Sequence, residues 1–406
     1  MIPTHAPCLR RRDYLPYVAA PVVSRRYREI RLEDVWGSRL GGRAVFPTPT
    51  GRHALWRFLE LAGLRPGDEV LVAAYNFYAV VRLLVQKGLV PVFVDVEPDT
   101  LCIDPDDVRR KITGRSRMVL ATHMFGHPAD ASRIAALCSE SGLLLFEDCA
   151  HAVGTAHAGR QVGQAGDGAL FSFGVQKIVN SFGGGMLVLA EDLAMRYRPP
   201  VHSVSRPAAF ADTFSRALVS LLMSPPLYRL TLDRAIQLRE SAPLRVQRVV
   251  NPSRDNPGYR FVPGSRAPFR PFMARMHALQ LARLEAGVAR RREIVRTVKS
   301  RLKGLPEVAL LDEDRHGRSN GAYFGVYVAD PHGVAARLAA RGVRAAPQEF
   351  TDCSQLGQFA DFAARCPHSS HAAAHVLRLP SYPCLADEDV EHLASSAAAC
   401  MEPRAR

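Results

Sequence analysis

Residues 146–186 read FEDCAHAVGTAHAGRQVGQAGDGALFSFGVQKIVNSFGGGM, setting a carboxylate at the end of an apolar strand and one lysine between a Ser-Phe pair and a glycine run. An amine and an acid in this setting suit one demanding kind of chemistry. A lysine amine can hold an aldehyde as an imine, and exchange with an incoming amine is then far easier than attack on the free aldehyde. A carboxylate beside a pyridine nitrogen keeps that ring protonated, so it can accept the electrons of a neighbouring carbanion. The pair therefore points to pyridoxal 5′-phosphate, with Lys177 as the amine and Asp148 as the acid. Asp148 closes the run LLLFED, where a strand tip aims its side chain into the crevice beyond the sheet's carboxyl edge. Strand side chains alternate, so Glu147 faces the other way.

The phosphate end of such a cofactor needs backbone N–H groups at a helix start. GRHALWRFLELAG begins with a glycine and continues with helical apolar spacing, so Gly51, Arg52 and His53 can present N–H groups to an anion. The Arg52 side chain either grips the phosphate in a two-pronged contact or points into solvent. The backbone is the firmer expectation.

These residues must be held by a sheet. EVLVAA, LVPVFVDV, RMVLATH, GLLLFED, GALFSF and GMLVLA read as strands, and AVVRLLVQKG and SRIAALCSESG as helices between them. That alternation predicts an α/β fold with a mostly parallel central sheet flanked by helices. His123 ends one strand and is a candidate for either substrate contact or structural support. Further on, FMARMHALQLARLEAGVARRREIVRTVKSRLKGL reads as one long helix, with Met276, Leu279, Leu281 and Leu284 among its apolar positions. NGAYFGVYVAD then supplies a strand and HGVAARLAARG a helix, as in a smaller C-terminal α/β domain. The expected boundaries are an N-terminal arm over 1–45, a large cofactor-binding domain over 46–265, and a linking helix with the small domain over 266–406.

The chain resembles the DegT/DnrJ/EryC1/StrS sugar aminotransferases, a group of fold type I pyridoxal phosphate enzymes. The resemblance runs through PTPTGRHAL (47–55), RPGDEVLVAAYNFYAVV (65–81), GLVPVFVDVEPDTLCIDP (88–105), HMFGHPAD (123–130), FEDCAHAVG, FSFGVQK and LPSYPCLADEDV (379–390), about three quarters of the chain. It implies that Lys177 is the Schiff-base lysine and Asp148 the pyridine-nitrogen partner. It further implies that His151 lies near the cofactor's hydroxyl, that Ser172 binds phosphate, and that Phe77 stacks on the ring. The family's Asn-Tyr-Arg segment, which reaches a partner subunit's phosphate site, stands here as Pro268, Phe269 and Arg270, and the Gly-Glu pair after the lysine as Phe182 and Gly183. The implied activity is transfer of an amino group from an amino-acid donor, glutamate first, to a nucleotide-linked keto sugar, in a homodimer. Retention of Lys177 argues against the related sugar dehydratases, where histidine replaces it. Another pyridoxal phosphate reaction, or a noncatalytic relative, remains as the alternative.

Residues 193–267 exceed the family's usual length there. They include ADTFSRALVSLLMSPPLYRLTLDRAIQL, with Phe214, Leu218, Leu221 and Leu222 on a helical stripe before Pro225 and Pro226. A packed helical hairpin at a subunit interface is the plainer reading. An apolar lid, or membrane-surface contact through 211–232, is the less favoured one, and it would suit a hydrophobic or carrier-linked acceptor.

Composition narrows the class. Lys plus Arg number 53 against 39 Asp plus Glu, a formal charge of +14. No helix-turn-helix, zinc finger or aromatic-rich strand accompanies that charge, so it reads as a funnel for an anionic substrate and not as a nucleic-acid surface. No apolar stretch reads as a membrane span, and the N-terminus lacks the order of a signal peptide, so a cytoplasmic enzyme is expected. The eight cysteines show neither CxxC pairs nor a His/Cys zinc pattern; mostly reduced, buried thiols and no metal are expected.

Overall fold

A computed structural model describes residues 2–5, 8–10, 13, 30–199, 260–263, 269–347 and 350–402. The apolar runs form a seven-stranded sheet: β1 (Ala44–Thr48), β2 (Glu69–Ala73), β3 (Val90–Val94), β4 (Ser116–Thr122), β5 (Leu144–Asp148), β6 (Gly168–Ser172) and β7 (Gly185–Leu189). Their spatial order is β1-β7-β6-β5-β4-β2-β3. β3, β2, β4, β5 and β6 pair in parallel, while β7 runs antiparallel between β6 and β1. It follows that the carboxyl ends of β1, β2, β4, β5 and β6, together with the start of β7, meet at one edge.

Both faces of the sheet are covered, which is why its strands carry apolar residues without alternation. Val70 and Val72 on β2, with Met118 and Leu120 on β4, pack against α1 (Gly51–Leu61) and α2 (Tyr78–Gln86). Their neighbours Leu71, Ala73, Val119 and Ala121 point to the other face, against α3 (Ala131–Ser141). The two-residue period of a strand thus divides one apolar run between two cores.

A second, antiparallel sheet contains β8 (Val308–Leu310), β9 (Phe324–Val328), β10 (Ala346–Pro347) and β11 (Val376–Leu379), in the order β8-β9-β11-β10. The expected long helix is two: α4 (Pro271–Leu281) and α5 (Leu284–Leu302). Arg283, at φ −122° and ψ 12°, breaks the line, because its guanidinium turns back to the Leu279 carbonyl and ion-pairs with the buried Asp13. α5 and α6 (Asp387–Met401) back the small sheet through Val298, Leu302, Leu393 and Ala397.

Two further expectations need adjustment. Cys8 and Cys384 form a disulfide that ties the N-terminal segment to the small domain, whereas the other six cysteines are unpaired and buried. Residues 200–259, which hold most of the expected insertion and the whole stretch 211–232, lie outside the described residues. Among the described residues, no helix is long and apolar enough to cross a membrane.

Glu147 shows why one of two adjacent acids is structural. It is 1% exposed and turned away from the strand-end crevice. Oε1 accepts from the N–H groups of Ala165 and Gly166 at 2.7 and 3.0 Å; Oε2 accepts from Gly163 N–H and His123 Nε2 at 3.0 Å each. Ala129 N–H donates to His123 Nδ1, which fixes the proton on Nε2. Burial alone would raise the Glu147 carboxyl, but the His123 bond and the backbone donors outweigh it and hold the group below its usual range. Cys149 lies close enough to complete a three-residue cluster with His123 and Glu147, yet these hydrogen bonds already occupy the acid and the imidazole. His123 therefore supports a loop and does not line the cavity. Glu147→Gln would oppose amide hydrogens to backbone donors, so it should lower stability by about 2 kcal/mol, read as a lower urea midpoint at unchanged slope.

Candidate active site

The strand ends open into a cavity of about 1260 Å³. That is ample for a cofactor and a substrate together. Asp148 enters from the tip of β5, Ser172 from the tip of β6, and Thr122 from the tip of β4. Lys177 follows β6 on a loop whose turn is closed by its own N–H to the Gly174 carbonyl at 3.0 Å. The chain holds five lysines, and Lys177 alone of them lines this cavity. Lys87, Lys111 and Lys299 are engaged by Glu60, Asp107 and Glu313 respectively, and Lys303 is exposed at the end of α5.

The start of α1 forms one wall. Thr50 caps it, its hydroxyl accepting from His53 N–H. Gly51 leaves room where a Cβ would stand 3.1 Å from Leu170 Cδ1 and 3.3 Å from Ser172 Cβ. Gly185 allows the closest approach: a Cβ there would lie 2.3 Å from the Thr50 carbonyl carbon and 2.5 Å from Gly51 N. A side chain at either position would push the helix start away from the strand ends.

Charge in the cavity is mainly positive. Lys177, Arg52, Arg344 and Arg378 line it together with Asp148 and Asp352. The carboxylate of Asp352 is engaged by Ser354 and Ser370. Asp148 is 5% exposed, and burial raises its carboxyl above the usual range, against the pull of Ala150 N–H at 2.9 Å and the charge of Lys177. His151 is held well below its ordinary value, by burial first and then by Lys177 and Arg378, so it is neutral at physiological pH. From the N-terminal segment, Pro3, Thr4 and His5 also reach the cavity. Ile2 is fastened beside Val343 by hydrogen bonds to Gly342 and Arg344, and Cys8 by its disulfide, so both ends of this strap are fixed.

Most of the residues expected from sequence gather here: Lys177, Asp148, His151, Ser172, Phe77, Gly51 and Arg52 all line the cavity. Two do not. His53 is buried, with Nδ1 2.8 Å from the Thr50 hydroxyl and its ring against Phe261, so its side chain serves the helix cap. Arg270 caps α4 outside the lining, and its Nε and Nη2 atoms are buried without a hydrogen-bond partner among the described residues. Thr50, Asn76, Tyr323, Arg378 and the strap were missed. The capping preference for threonine before a helix offered a signal for Thr50. The others come from distant segments, and nothing local marks them.

Behind the lysine loop, a buried relay holds Gly183. Trp36 Nε1–H donates to His277 Nδ1 at 3.3 Å; His277 Nε2–H donates to the Ser181 hydroxyl at 3.0 Å, and that hydroxyl donates to the Gly183 carbonyl at 2.8 Å. The relay needs a neutral imidazole, and burial lowers the His277 pKa from 6.5 to about 3. Between those values the unfolded chain takes up a proton that the native site refuses. Stability from this site is therefore full above pH 6.5 and should fall on acidification, by about 1.4 kcal/mol per pH unit for one proton. Denaturation of His277→Gln from pH 7 to 4 should show a shallower slope than the wild type; identical slopes would contradict the relay.

A sheet with this strand order and a strand-end cavity holding a lysine and a buried acid defines a fold type I pyridoxal-phosphate-dependent enzyme. The chain belongs to the DegT/DnrJ/EryC1/StrS aminotransferase family, whose pattern matches residues 28–215 and 238–397. GDP-perosamine synthase of Vibrio cholerae is 37% identical over 197 residues, 48% of this chain and 54% of that enzyme, so the match spans about half of the relative. The spore coat polysaccharide biosynthesis protein SpsC of Bacillus subtilis is 27% identical over 94% of this chain and 96% of its own length. Among solved structures, the aminotransferase TlmJ from Streptoalloteichus hindustanus superposes with a TM-score of 0.75 at 26% identity, covering 98% of both chains.

Family and fold imply use of pyridoxal phosphate, and the cavity fits it. The glycine-walled start of α1 with Ser172 suits the phosphate, the buried Asp148 carboxylate suits a protonated ring nitrogen, and Lys177 supplies the amine.

Proposed function

We propose that this chain is a pyridoxal-phosphate-dependent aminotransferase that moves an amino group from an amino acid, glutamate in the first instance, to a ketone, in the first instance a nucleotide-linked keto sugar. The observation that carries the reading is the sharing of one cationic cavity by Lys177, the buried carboxylate of Asp148 and the capped start of α1. When bound, the cofactor supplies an electron sink for the pair left on the donor's α carbon and a carrier for the nitrogen. In this assignment Lys177 holds the aldehyde and, once the donor has displaced it, moves the proton at the donor's α carbon. Asp148 keeps a proton on the ring nitrogen, aided by a site that excludes water from its carboxylate. Thr50 and Gly51, with Arg52 and Ser172, take the phosphate, while Phe77 stacks on the ring and the neutral His151 meets the ring hydroxyl. His53 is left out of that set, because its N–H is taken by Thr50.

Arg270 is assigned, on the family resemblance alone, to a neighbouring subunit's site in a homodimer. The domain limits at 45/46 and 265/266 belong to the same proposal. So does a cytoplasmic setting, which six buried unpaired thiols favour and the Cys8–Cys384 bond opposes. The acceptor class rests on relatives: DesI, 26% identical with a TM-score of 0.72, was solved in the presence of its TDP-sugar product.

The experiment is a visible spectrum of cofactor-loaded protein before and after glutamate. The lysine-held band should be replaced by the absorbance of the aminated cofactor; a band indifferent to every amino acid would reject transamination. Lys177→Ala should lack the starting band and lose about 10³-fold or more in turnover. Asp148→Asn should keep the band and lose about 10²-fold, and near-normal turnover in that variant would remove Asp148 from its role.

A further inference from the structure

Two cavities meet at Lys177. The strand-end cavity lies on one side; on the other is a cleft of about 360 Å³ between the N-terminal segment, the lysine loop and the start of α5. Among their lining residues, His5 and Lys177 alone belong to both. The ring of His5 hydrogen-bonds the backbone of Val175, two residues before the lysine, on the turn that Lys177 N–H closes to Gly174. The strap therefore stands between the lysine and the second cleft, and it touches the loop that carries the amine.

Two anchors hold His5 there. Ile2 is fixed by backbone hydrogen bonds with Gly342 and Arg344 at 2.7 and 2.9 Å, and Cys8 by its bond to Cys384. With that bond opened, the next polar anchor among the described residues is Asp13, through its ion pair with Arg283. The tethered stretch then runs from Ile2 to Asp13 instead of from Ile2 to Cys8, and the entropy cost of holding His5 in one place rises with its length. The bond is open to attack: Cys384 is exposed and Cys8 half-buried, whereas the other six cysteines are buried and unpaired. Cys384 N–H donates to Cys8 Sγ at 3.3 Å, and Arg10, Arg290 and Arg291 line the same cleft. The N–H and the positive charge both favour departure of Cys8 as a thiolate when the Cys384 sulfur is attacked.

We propose that the Cys8–Cys384 bond is a redox latch for the lysine loop. Oxidised, it holds His5 on Val175 and closes the loop to water from the second cleft; reduced, it frees the strap and exposes Lys177 from that side. The step is exchange with a dithiol. One thiolate of the reductant attacks Cys384 Sγ, and the bond between the two cysteines breaks with its electron pair on Cys8. The second thiol then displaces Cys384, so two electrons and two protons pass to the cysteines and the dithiol leaves as a disulfide.

The consequence for the cofactor rests on the role of Lys177 in the proposed function, so the latch is read first by a measurement that needs no cofactor chemistry. Full-length protein incubated with pyridoxal phosphate is equilibrated with oxidised or reduced dithiothreitol, freed of it, and denatured for thiol counting. Wild type should show six thiols after the oxidant and eight after the reductant. Hydrogen exchange read by mass spectrometry should be about tenfold faster over residues 2–5 and 174–177 in the reduced form. Trapping of the lysine-held band by hydroxylamine should quicken likewise. Cys8→Ser and Cys384→Ser should match the reduced wild type in both and ignore dithiothreitol, whereas His5→Ala should speed exchange over 174–177 with the thiol count still at six.

Eight thiols after the oxidant, or exchange over 174–177 within about twofold in the two redox states, overturns the proposal. So does an equal response to dithiothreitol in Cys8→Ser. Faster exchange over 174–177 on reduction, in protein that shows no lysine-held band, would uphold the latch and reject the attachment of the cofactor to Lys177.

Discussion

A carboxylate buried at a strand tip must either take up a proton or meet one held by something else, and Asp148 stands at that choice. Burial raises its affinity for a proton, while the Ala150 N–H and the Lys177 charge favour the ionised form. The protonated ring nitrogen of the proposed cofactor would resolve the conflict by bringing its own positive charge against the acid. Much of the fold serves to keep that carboxylate dry and aimed. The parallel run of β2 to β6 delivers Asp148, Ser172 and Thr122 to one edge, and the antiparallel return of β7 brings Gly185 against the start of α1. Glu147, one residue earlier, is turned from the site by strand alternation and held ionised by four donors.

The small sheet and the N-terminal strap complete what the large sheet begins. They add positive charge and aromatic surface: Arg378 on Tyr323, and the ring of Phe350 5.4 Å from His151. A cavity that retains this much positive charge beyond its phosphate end is built for an anionic reactant. Burial meanwhile keeps His151 and His5 neutral, so they add polarity without adding to that charge.

The parts of this arrangement readable in the sequence are those fixed by short-range pattern. Apolar runs bounded by acid, serine or glycine marked the strands of the large sheet, and alternation separated Asp148 from Glu147. The break at Arg283 was not readable, because it depends on an ion pair with Asp13, 270 residues away. The Cys8–Cys384 bond and the strap's place in the cavity are hidden for the same reason: the sequence separation of 376 leaves no local trace. Arg378 sits in a strand pattern that reads as core, and only the meeting of two sheets shows that its side chain lines a cavity. Sequence places His53 on the first turn of α1 without showing that Thr50 takes its N–H and that its ring turns to Thr50 and Phe261.

The central claim is that one lysine of five holds the cofactor opposite a buried acid. Borohydride reduction of the cofactor-loaded protein fixes the cofactor to whichever lysine carries it, and peptide mass mapping then locates the adduct. The account predicts a single modified site, Lys177. Stoichiometric label on Lys87, Lys111, Lys299 or Lys303, or no label in protein that retains the cofactor, would contradict it.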